Sequence, residues 1–399
     1  MLRNNRRSQL GGGRVRGIKR RSGVVAAMLL WLSMWAAAQA RTPADAVALE
    51  GQGKLPQAEQ AWKAVTAGHP DDAAAFASLG VVLSREQKYR EAATAYRKAL
   101  ALNPKLPGIE VNLGLAEFKQ GHFRSAAAAL QLALRADPSS TQAETLLGLS
   151  YYGSGQYAEA VKYLERVAKD DPANAELHRV LAQSCLWAKE FSCAQEEFRR
   201  LLEQNPDSAQ AHILFGEALD GLSRTEEAIA AFETAAKIAP REPNVHFGLG
   251  YLYWKKQQYD EAKAEFEREL AIDAGSALSL AYLGDIEWKN DRPEAALGYL
   301  NRAKRINDSV RIIYIDLGAI YMQQKNSKEA RVALERAVAL DPAETDAHYQ
   351  LGRLYQALGA TAKAEKELHK VQELHRQAEE NLVGKISTSP PALNPQEEK

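Results

Sequence analysis

Cysteine is almost absent from this 399-residue chain, which has only Cys185 and Cys193. Neither cysteine stands directly after the apolar run of residues 24–38, where a lipoprotein anchor would need one, so we expect no lipoprotein anchor. The two residues flank one predicted turn, and an oxidising compartment would allow them to form a disulfide. We favour two separate small apolar side chains instead, because pairing across the turn is expected to place Cys185 nearer to Phe191 than to Cys193.

The chain also lacks net charge, since it has 51 basic and 51 acidic residues. This balance hides an asymmetry, because residues 1–40 contain eight basic residues and no acidic one. Subtracting them leaves residues 41–399 with 43 basic and 51 acidic residues, a net charge of −8. An acidic body disfavours nucleic acid, which selects basic surfaces. We therefore expect no nucleic-acid partner.

Sequence signatures of catalysis are missing as well. No nucleophile stands beside a base, and residues 51–54 lack the full spacing of a phosphate-binding loop. His178, His212 and His246 recur at equivalent positions, which are about 10 Å apart in stacked helices. Zinc ligands must lie about 2 Å from one ion, so we interpret this column as packing. We predict a protein that is not an enzyme, with no catalytic residue, metal or cofactor.

What the chain has in abundance is a 34-residue repeat. A small residue such as Gly80 stands twelve positions before each repeated alanine, and a bulky apolar residue such as Tyr96 stands four positions after it. A period of this length indicates stacked helical units, each ended in most repeats by a proline. Few β-branched runs occur, which agrees with an all-α fold. The repeated alanines are Ala58, Ala92, Ala126, Ala160, Ala194, Ala228, Ala262, Ala296, Ala330 and Ala364.

These columns resemble the tetratricopeptide repeat. The resemblance covers about ten units between residues 41 and 378. It implies a right-handed α-solenoid superhelix of about ten 34-residue helix-turn-helix repeats, whose first helices line a concave groove. The second unit carries the pattern as Phe76, Leu79, Gly80, Leu83, Ala92, Tyr96, Ala99 and Pro104. The chain departs from it at His178, His212, His246 and His348, and at Ala274 and Asp308 in place of proline.

The register of the family predicts which side chains face the groove. Some members hold a terminal carboxylate there with basic and asparagine side chains, but Ala77, Val81, Val111 and Leu115 stand at those positions here. The predicted groove is instead largely aromatic: Phe118, Tyr152, Trp187, Phe247, Tyr251, Trp254, Trp288, Met322 and Tyr349. Charged residues interrupt it at Arg179, Glu217, Asp220, Lys255, Asp285, Lys289 and Arg353.

Two interpretations of these aromatic residues stay open. They can pack neighbouring first helices together, which gives them a structural role only. Alternatively, Trp187, Tyr251, Trp254 and Trp288 stay partly exposed and bind a peptide or helix of a partner, since exposed aromatic clusters mark partner sites.

The N-terminus is typical of an export signal. A basic stretch ends at residues 19–21, an apolar run covers residues 24–38, and residues 38–40 have the small-x-small pattern of a cleavage site. The run is shorter than the roughly 20 residues that span a membrane. We expect cleavage near Ala40 and a periplasmic or secreted protein. A retained inner-membrane anchor is the alternative, and membrane contact would then occur only through this segment.

The C-terminus is predicted to close the repeats. Residues 361–383 form a charged amphipathic pattern, as expected of a closing helix that shields the last apolar face. Residues 384–399 contain three prolines and few apolar residues, which predicts a disordered tail.

The function predicted from these features is a protein–protein interaction scaffold of the cell envelope. One alternative is a carbohydrate-binding accessory of polysaccharide export or glycan processing, in which aromatic side chains stack on sugar rings. A second alternative is a self-assembly module, so self-association stays open.

Overall fold

Helices account for all of the regular structure in the part of the chain described here. The computed structural model describes residues 42–388, with side chains for residues 42–377. Twenty helices and no strand occur within residues 42–388, so the all-α solenoid of tandem repeats is confirmed. The helices are α1 Pro43–Gly51, α2 Leu55–Gly68, α3 Ala73–Arg85, α4 Tyr89–Leu102, α5 Ile109–Lys119, α6 Phe123–Ala136, α7 Thr141–Gly153, α8 Tyr157–Asp170, α9 Ala175–Trp187, α10 Phe191–Gln204, α11 Ala209–Gly221, α12 Thr225–Ile238, α13 Val245–Lys255, α14 Tyr259–Ile272, α15 Ala277–Lys289, α16 Pro293–Ile306, α17 Arg311–Gln323, α18 Ser327–Leu340, α19 Thr345–Ala357 and α20 Thr361–Thr388.

The turn inside each repeat contains one residue in the left-handed region. Glycine occupies this position in some repeats, and a larger residue adopts the same positive φ in others, as Lys189 and Lys325 do. The next amide donates back to the last turn of the first helix, as Asn326 N does to the Tyr321 carbonyl at 2.8 Å. This bond pattern ends one helix and reverses the chain within three residues. The second helix is thereby laid antiparallel to the first.

Short polar side chains begin many of the first helices. Ser208 and Ser276 accept hydrogen bonds from the backbone amides of Ala211 and Ser279, each at 3.3 Å. Each cap follows two residues after the position where most repeats have proline. Because Ser276 caps α15 although Ala274 replaces the proline, the helix start does not depend on proline alone.

The two helices of a repeat cross at the column of small residues. A Cβ atom built on Gly318 of α17 would lie 2.5 Å from both Cγ and Cδ2 of Leu334 in α18. Gly284 meets Leu300 in the same way, at 2.7 Å. The bulky side chain therefore fills the space that a larger residue would need. In contrast, a Cβ on the exposed Gly298 of α16 would meet no atom within 4 Å.

Four histidines replace the aromatic residue of the family pattern, and three of them contact a glutamate of the second helix. Nδ1 of His178 lies 2.5 Å from Glu197 Oε2, and Nδ1 of His246 lies 2.7 Å from Glu265 Oε2. His348 and Glu367 repeat the pair at 2.6 Å, again 19 residues apart. At His212 the equivalent residue is Ala231, and the ring instead contacts the Pro206 carbonyl. A carboxylate thus lies within hydrogen-bond distance of three of these four rings.

The repeats fall into two compact units that divide between Val167 and Ala168. In the first unit, buried side chains from Ala46 to Ala116 form a continuous apolar core. In the second unit, several apolar clusters follow one another, and each contains residues of consecutive repeats. Within this unit, each first helix also contacts the first helix of the next repeat.

Cys185 and Cys193 form a disulfide, with Cα atoms 5.8 Å apart. The expectation of two separate thiols was therefore wrong. Cys185 lies two residues before the end of α9, and Cys193 lies two residues after the start of α10. Equal distances from the turn bring the two residues opposite each other across the antiparallel pair.

The predicted division into signal, repeats, closing helix and tail stays a prediction. Residues 1–41 and 389–399 lie outside the described residues, and these ranges include the whole predicted signal and most of the predicted tail. Helix α20 runs continuously over Thr361–Thr388, so it includes residues 384–388 of the predicted tail. Within the described range, no helix is both long enough and apolar enough to cross a bilayer.

The helix crossing leads to a prediction for two glycines of the second unit. Gly318→Ala should lower the free energy of unfolding by about 1–3 kcal/mol, because the new methyl group overlaps Leu334. Gly298→Ala should raise it by about 0.5–1 kcal/mol, because alanine favours a helix and meets no neighbour there. Urea unfolding followed by circular dichroism measures both. Equal stability of the two variants would show that the small-residue column does not set the crossing.

Candidate functional site

The nine residues predicted to face the groove are divided between the two units. Phe118 and Tyr152 belong to the first unit, and the other seven belong to first helices of the second unit. Trp187 and Tyr349 are the most open, with 45% and 48% of their surface exposed. The remaining seven are half-buried. That these residues bind a partner stays a prediction.

In the first unit, the two predicted residues contact the second helix of their own repeat. The Phe118 ring lies edge-on to Phe123 with centroids 5.5 Å apart. The Tyr152 ring meets Tyr157 in the same geometry at 6.1 Å. Such edge-to-face pairs stabilise a fold by about 0.5–1.5 kcal/mol beyond simple burial. Both residues therefore help to hold the turn of their repeat.

The second unit brings aromatic residues of α13, α14 and α15 into one cluster. Tyr282 lies at its centre, with ring centroids 5.7 Å from Tyr251, 5.0 Å from Trp254 and 5.4 Å from Phe266. Phe247 completes it, 6.5 Å from Tyr251. Burial among these rings raises the pKa of Tyr282 to about 12, so its hydroxyl stays neutral at physiological pH. The cluster gives this surface a rigid apolar centre.

Asp285 joins the cluster to the charges on α15. The Trp254 Nε1 atom donates to Asp285 Oδ2 at 2.5 Å, and Lys289 Nζ lies 2.5 Å from Asp285 Oδ1. The same ammonium lies 4.9 Å from the centroid of the Trp254 ring. Trp254, predicted to stay partly exposed, is half-buried and contacts two residues of the next repeat.

Asp316 stands behind this pair, on the following first helix. Its side chain is buried, and Oδ2 has no hydrogen-bond partner among the described residues. Loss of hydration holds the pKa of Asp316 well above its ordinary value, and the nearby Asp285 carboxylate raises it further. Asp316 therefore keeps its proton to higher pH than an exposed aspartate does.

The other three predicted residues lie further along the unit. Trp288 packs beside the core cluster of α15–α19, and Met322 packs against the cluster of α18–α20. Tyr349 is exposed on α19, where the Arg353 guanidinium lies 5.9 Å from its ring centroid. Within residues 168–377, no ring contact joins Trp288 or Tyr349 to the Tyr282 cluster. The predicted aromatic residues therefore do not form one continuous patch in this unit.

Two cavities lie in this unit, and Phe247 and Tyr251 of the Tyr282 cluster line the first of them. The first, of about 360 Å³, lies between α11, α13 and α15. The second, of about 380 Å³, lies between α9, α10 and α11. Gln210 lines both cavities. We call the surface formed by α9, α11, α13, α15, α17 and α19 the first-helix face. Among the described residues, no group of three or more acidic, histidine or cysteine side chains is arranged to hold a metal ion.

The repeat geometry agrees with comparisons of sequence. One sequence model of the tetratricopeptide repeat matches residues 151–215, 221–281 and 321–382. A second matches residues 44–107, 111–175 and 188–243. Together they cover most of the chain. The chain belongs to the tetratricopeptide repeat family. Proteins of this family generally serve as protein-binding scaffolds. No curated protein matches the sequence.

Solved tetratricopeptide structures resemble this chain to different extents. The Cut9–Hcn1 hetero-tetramer of the APC/C has 15% identity and a TM-score of 0.51, over 83% of this chain and 80% of that chain. MamA from Desulfovibrio magneticus RS-1 has 21% identity and a TM-score of 0.38, over 46% and 96%. YrrB, a tetratricopeptide repeat protein with an unusual peptide-binding site, has 26% identity and a TM-score of 0.35, over 48% and 99%. The first of these likenesses supports the fold alone.

Sequence reasoning missed Tyr282 and the contact between Trp254 and Asp285. Tyr282 stands two residues before the small-residue column, a position that the tetratricopeptide register does not assign to the groove. Trp254 and Asp285 are 31 residues apart, as are Asp285 and Asp316. This spacing is one repeat minus about one helical turn, and it places the two residues on first helices of neighbouring repeats. This spacing was the available signal.

The buried carboxyl group predicts an unusual pH dependence. Unfolded Asp316 ionises near pH 4, whereas the folded chain keeps the proton to higher pH. Its contribution to stability is therefore fully present below about pH 4 and is lost as pH rises through the raised pKa of Asp316. Asp316→Asn cannot ionise, so this variant should lose less thermal stability between pH 4 and 8. Each unit of pKa elevation corresponds to about 1.4 kcal/mol.

The matched control is Asp207→Asn in the exposed loop before α11. Thermal unfolding midpoints across the pH range should favour Asp316→Asn increasingly over the wild type, and the control should follow the wild type. A constant difference at all pH values would mean that Asp316 titrates as an ordinary surface acid.

Proposed function

We propose that this protein is a non-enzymatic scaffold of the cell envelope that binds a peptide or helix of a partner on its first-helix face. The observation that carries the proposal is the pair of cavities on that face, the first of which is lined by Phe247 and Tyr251 of the Tyr282 cluster. Aromatic anchors with adjoining apolar cavities are the usual centre of a protein interface.

The dimensions of the cavities favour side chains as occupants. Volumes of about 360 and 380 Å³ are at the small end of ligand pockets. Each cavity accommodates a side chain or two, and because both adjoin Gln210, one extended segment can insert side chains into both. A segment lying across successive first helices is a recognised mode of peptide binding.

Rigidity of the aromatic residues also favours binding. Tyr251, Trp254 and Tyr282 fix one another by ring contacts, and Asp285 fixes the indole of Trp254. Because these side chains are already ordered, they lose little conformational entropy when a partner binds. Burial of apolar area stabilises a complex by about 25 cal/mol per Å² before these costs.

We propose export to an oxidising compartment as the location. The disulfide between Cys185 and Cys193 supports it, because such bonds persist mainly outside the cytosol. The basic, apolar and small-x-small segments of residues 1–40 support it independently.

Site-specific photo-crosslinking tests the binding face. Leu278 lines the first cavity and is 43% exposed, so a benzophenone side chain at this position should leave the fold intact. In cells of the source organism, we expect a crosslink from position 278 to a defined segment of a partner protein, identified by mass spectrometry.

The matched control carries the same group at Val332, which is 58% exposed on the second helix α18. It should give little of that crosslink. A partner captured equally from both positions would contradict the first-helix face as the binding site. Crosslinks to a glycan, or to a second copy of the chain, would replace the proposed partner with sugar or with self-assembly.

Intact-mass measurement of the native protein tests export. We expect a chain that begins at Arg41 and weighs two hydrogens less than its fully reduced form. After reduction, two cysteines should become open to alkylation. A native chain that retains residues 1–40 and has two free thiols would contradict the proposed location.

A further inference from the structure

The cavity between α11, α13 and α15 combines apolar walls with two carboxylates. Ile213, Phe247, Tyr251 and Leu278 contribute apolar surface. Glu217 and Asp220, one helical turn apart on α11, also line it. We call this cavity the Glu217 pocket. Acidic groups on an otherwise apolar wall determine which charge a bound side chain can have.

Within residues 42–377, no lysine or arginine forms an ion pair with Glu217. Its side chain reaches solvent through the cavity, yet the surrounding walls remove part of its hydration and raise its pKa. Within residues 42–377, no ion pair or hydrogen bond engages its carboxylate. An exposed carboxylate without a cation favours a ligand of opposite charge, and partial loss of its hydration lowers the further cost of pairing.

Asp220 is the internal comparison, since it already has a cation. Lys255 Nζ lies 2.5 Å from Asp220 Oδ1, and the same ammonium lies 5.8 Å from the centroid of the Tyr251 ring. A cation between a carboxylate and an aromatic ring is therefore an arrangement that this wall already accommodates. The Glu217 carboxylate repeats the acidic half of it one turn earlier on α11.

Charge selects among the side chains that a partner can insert. An acidic side chain would meet the Glu217 carboxylate, which no lysine or arginine neutralises within residues 42–377, and be repelled. A purely apolar side chain would fill the cavity but leave Glu217 with still less water. A cation with an aliphatic stem satisfies both the carboxylate and the apolar wall.

We propose that the Glu217 pocket binds an arginine or lysine side chain of the partner, flanked in the partner sequence by apolar residues. This inference rests on the proposed function and specifies the chemistry of the partner segment. The ammonium or guanidinium contacts Glu217, and the neighbouring apolar residues cover Ile213, Phe247 and Leu278. The net charge of −8 over residues 41–399 favours the approach of such a segment.

Matched peptides test the pocket in the full chain. The probes are short capped peptides of leucine and serine with one central arginine, labelled with a fluorophore. A second peptide has citrulline, which keeps the shape of arginine without its charge, and a third has glutamate. Fluorescence anisotropy should give at least a tenfold lower Kd for the arginine peptide than for the citrulline peptide. The glutamate peptide should bind most weakly.

Two protein variants separate the pocket from the general acidity of the chain. Glu217→Gln removes the charge but keeps the shape, so it should abolish the preference for arginine over citrulline. Glu294→Gln removes an exposed carboxylate of α16 and should leave that preference unchanged. In the photo-crosslinking experiment, the arginine peptide should also reduce the crosslink from position 278 in competition.

The outcomes distinguish this inference from the proposed function. Equal binding of the arginine and citrulline peptides, or a preference that survives in Glu217→Gln, overturns the cation pocket. The crosslink from position 278 then still tests the binding face separately. Absence of arginine-peptide binding up to about 1 mM also overturns the inference, since that Kd represents only weak association. Loss of preference in Glu294→Gln as well would reduce it to nonspecific attraction between charges.

Discussion

The packing of the repeats depends on one contact, in which a bulky side chain of the second helix covers a small residue of the first. Because this contact fixes how closely the two helices cross, the turn between them must be short. A single residue at positive φ then reverses the chain. The spacing of 34 residues is kept throughout, so alternate helices present equivalent positions to the same face. The contact occurs in described repeats at Gly80–Tyr96, Gly114–Leu130, Gly148–Leu164, Gly250–Phe266 and Gly318–Leu334.

Most of this scaffold is predictable from sequence, since the same few interactions recur in each repeat. The positions of Gly284 and Leu300 in the repeat are enough to predict their contact, and Ser276 indicates a helix start even without proline. The disulfide was not predictable in this way, because it depends on both cysteines lying at equal distances from a turn whose length is known only from the fold. The division into two units after Val167 also has no signal in the sequence, because the repeated residues keep their spacing on both sides of it.

The candidate site is less predictable, because its contacts join residues of different repeats. The register identified Tyr251 and Trp254 as aromatic positions of the first helices. It did not show that Asp285 holds the Trp254 indole, nor that Tyr282 fills the space between the rings. Asp316 illustrates the same limit, since its raised pKa comes from burial by neighbours that no single repeat specifies.

The position of Gln210 between the two cavities has an evolutionary consequence. Each cavity is built at a junction, so neither belongs to a single repeat, and one substitution at Gln210 alters both. If one partner segment occupies both cavities as proposed, a substitution at Gln210 changes the fit of two of its side chains at once. Specificity would then change through linked substitutions at adjacent repeat junctions. A duplicated repeat would carry only its own share of the residues that line the cavity at each of its ends.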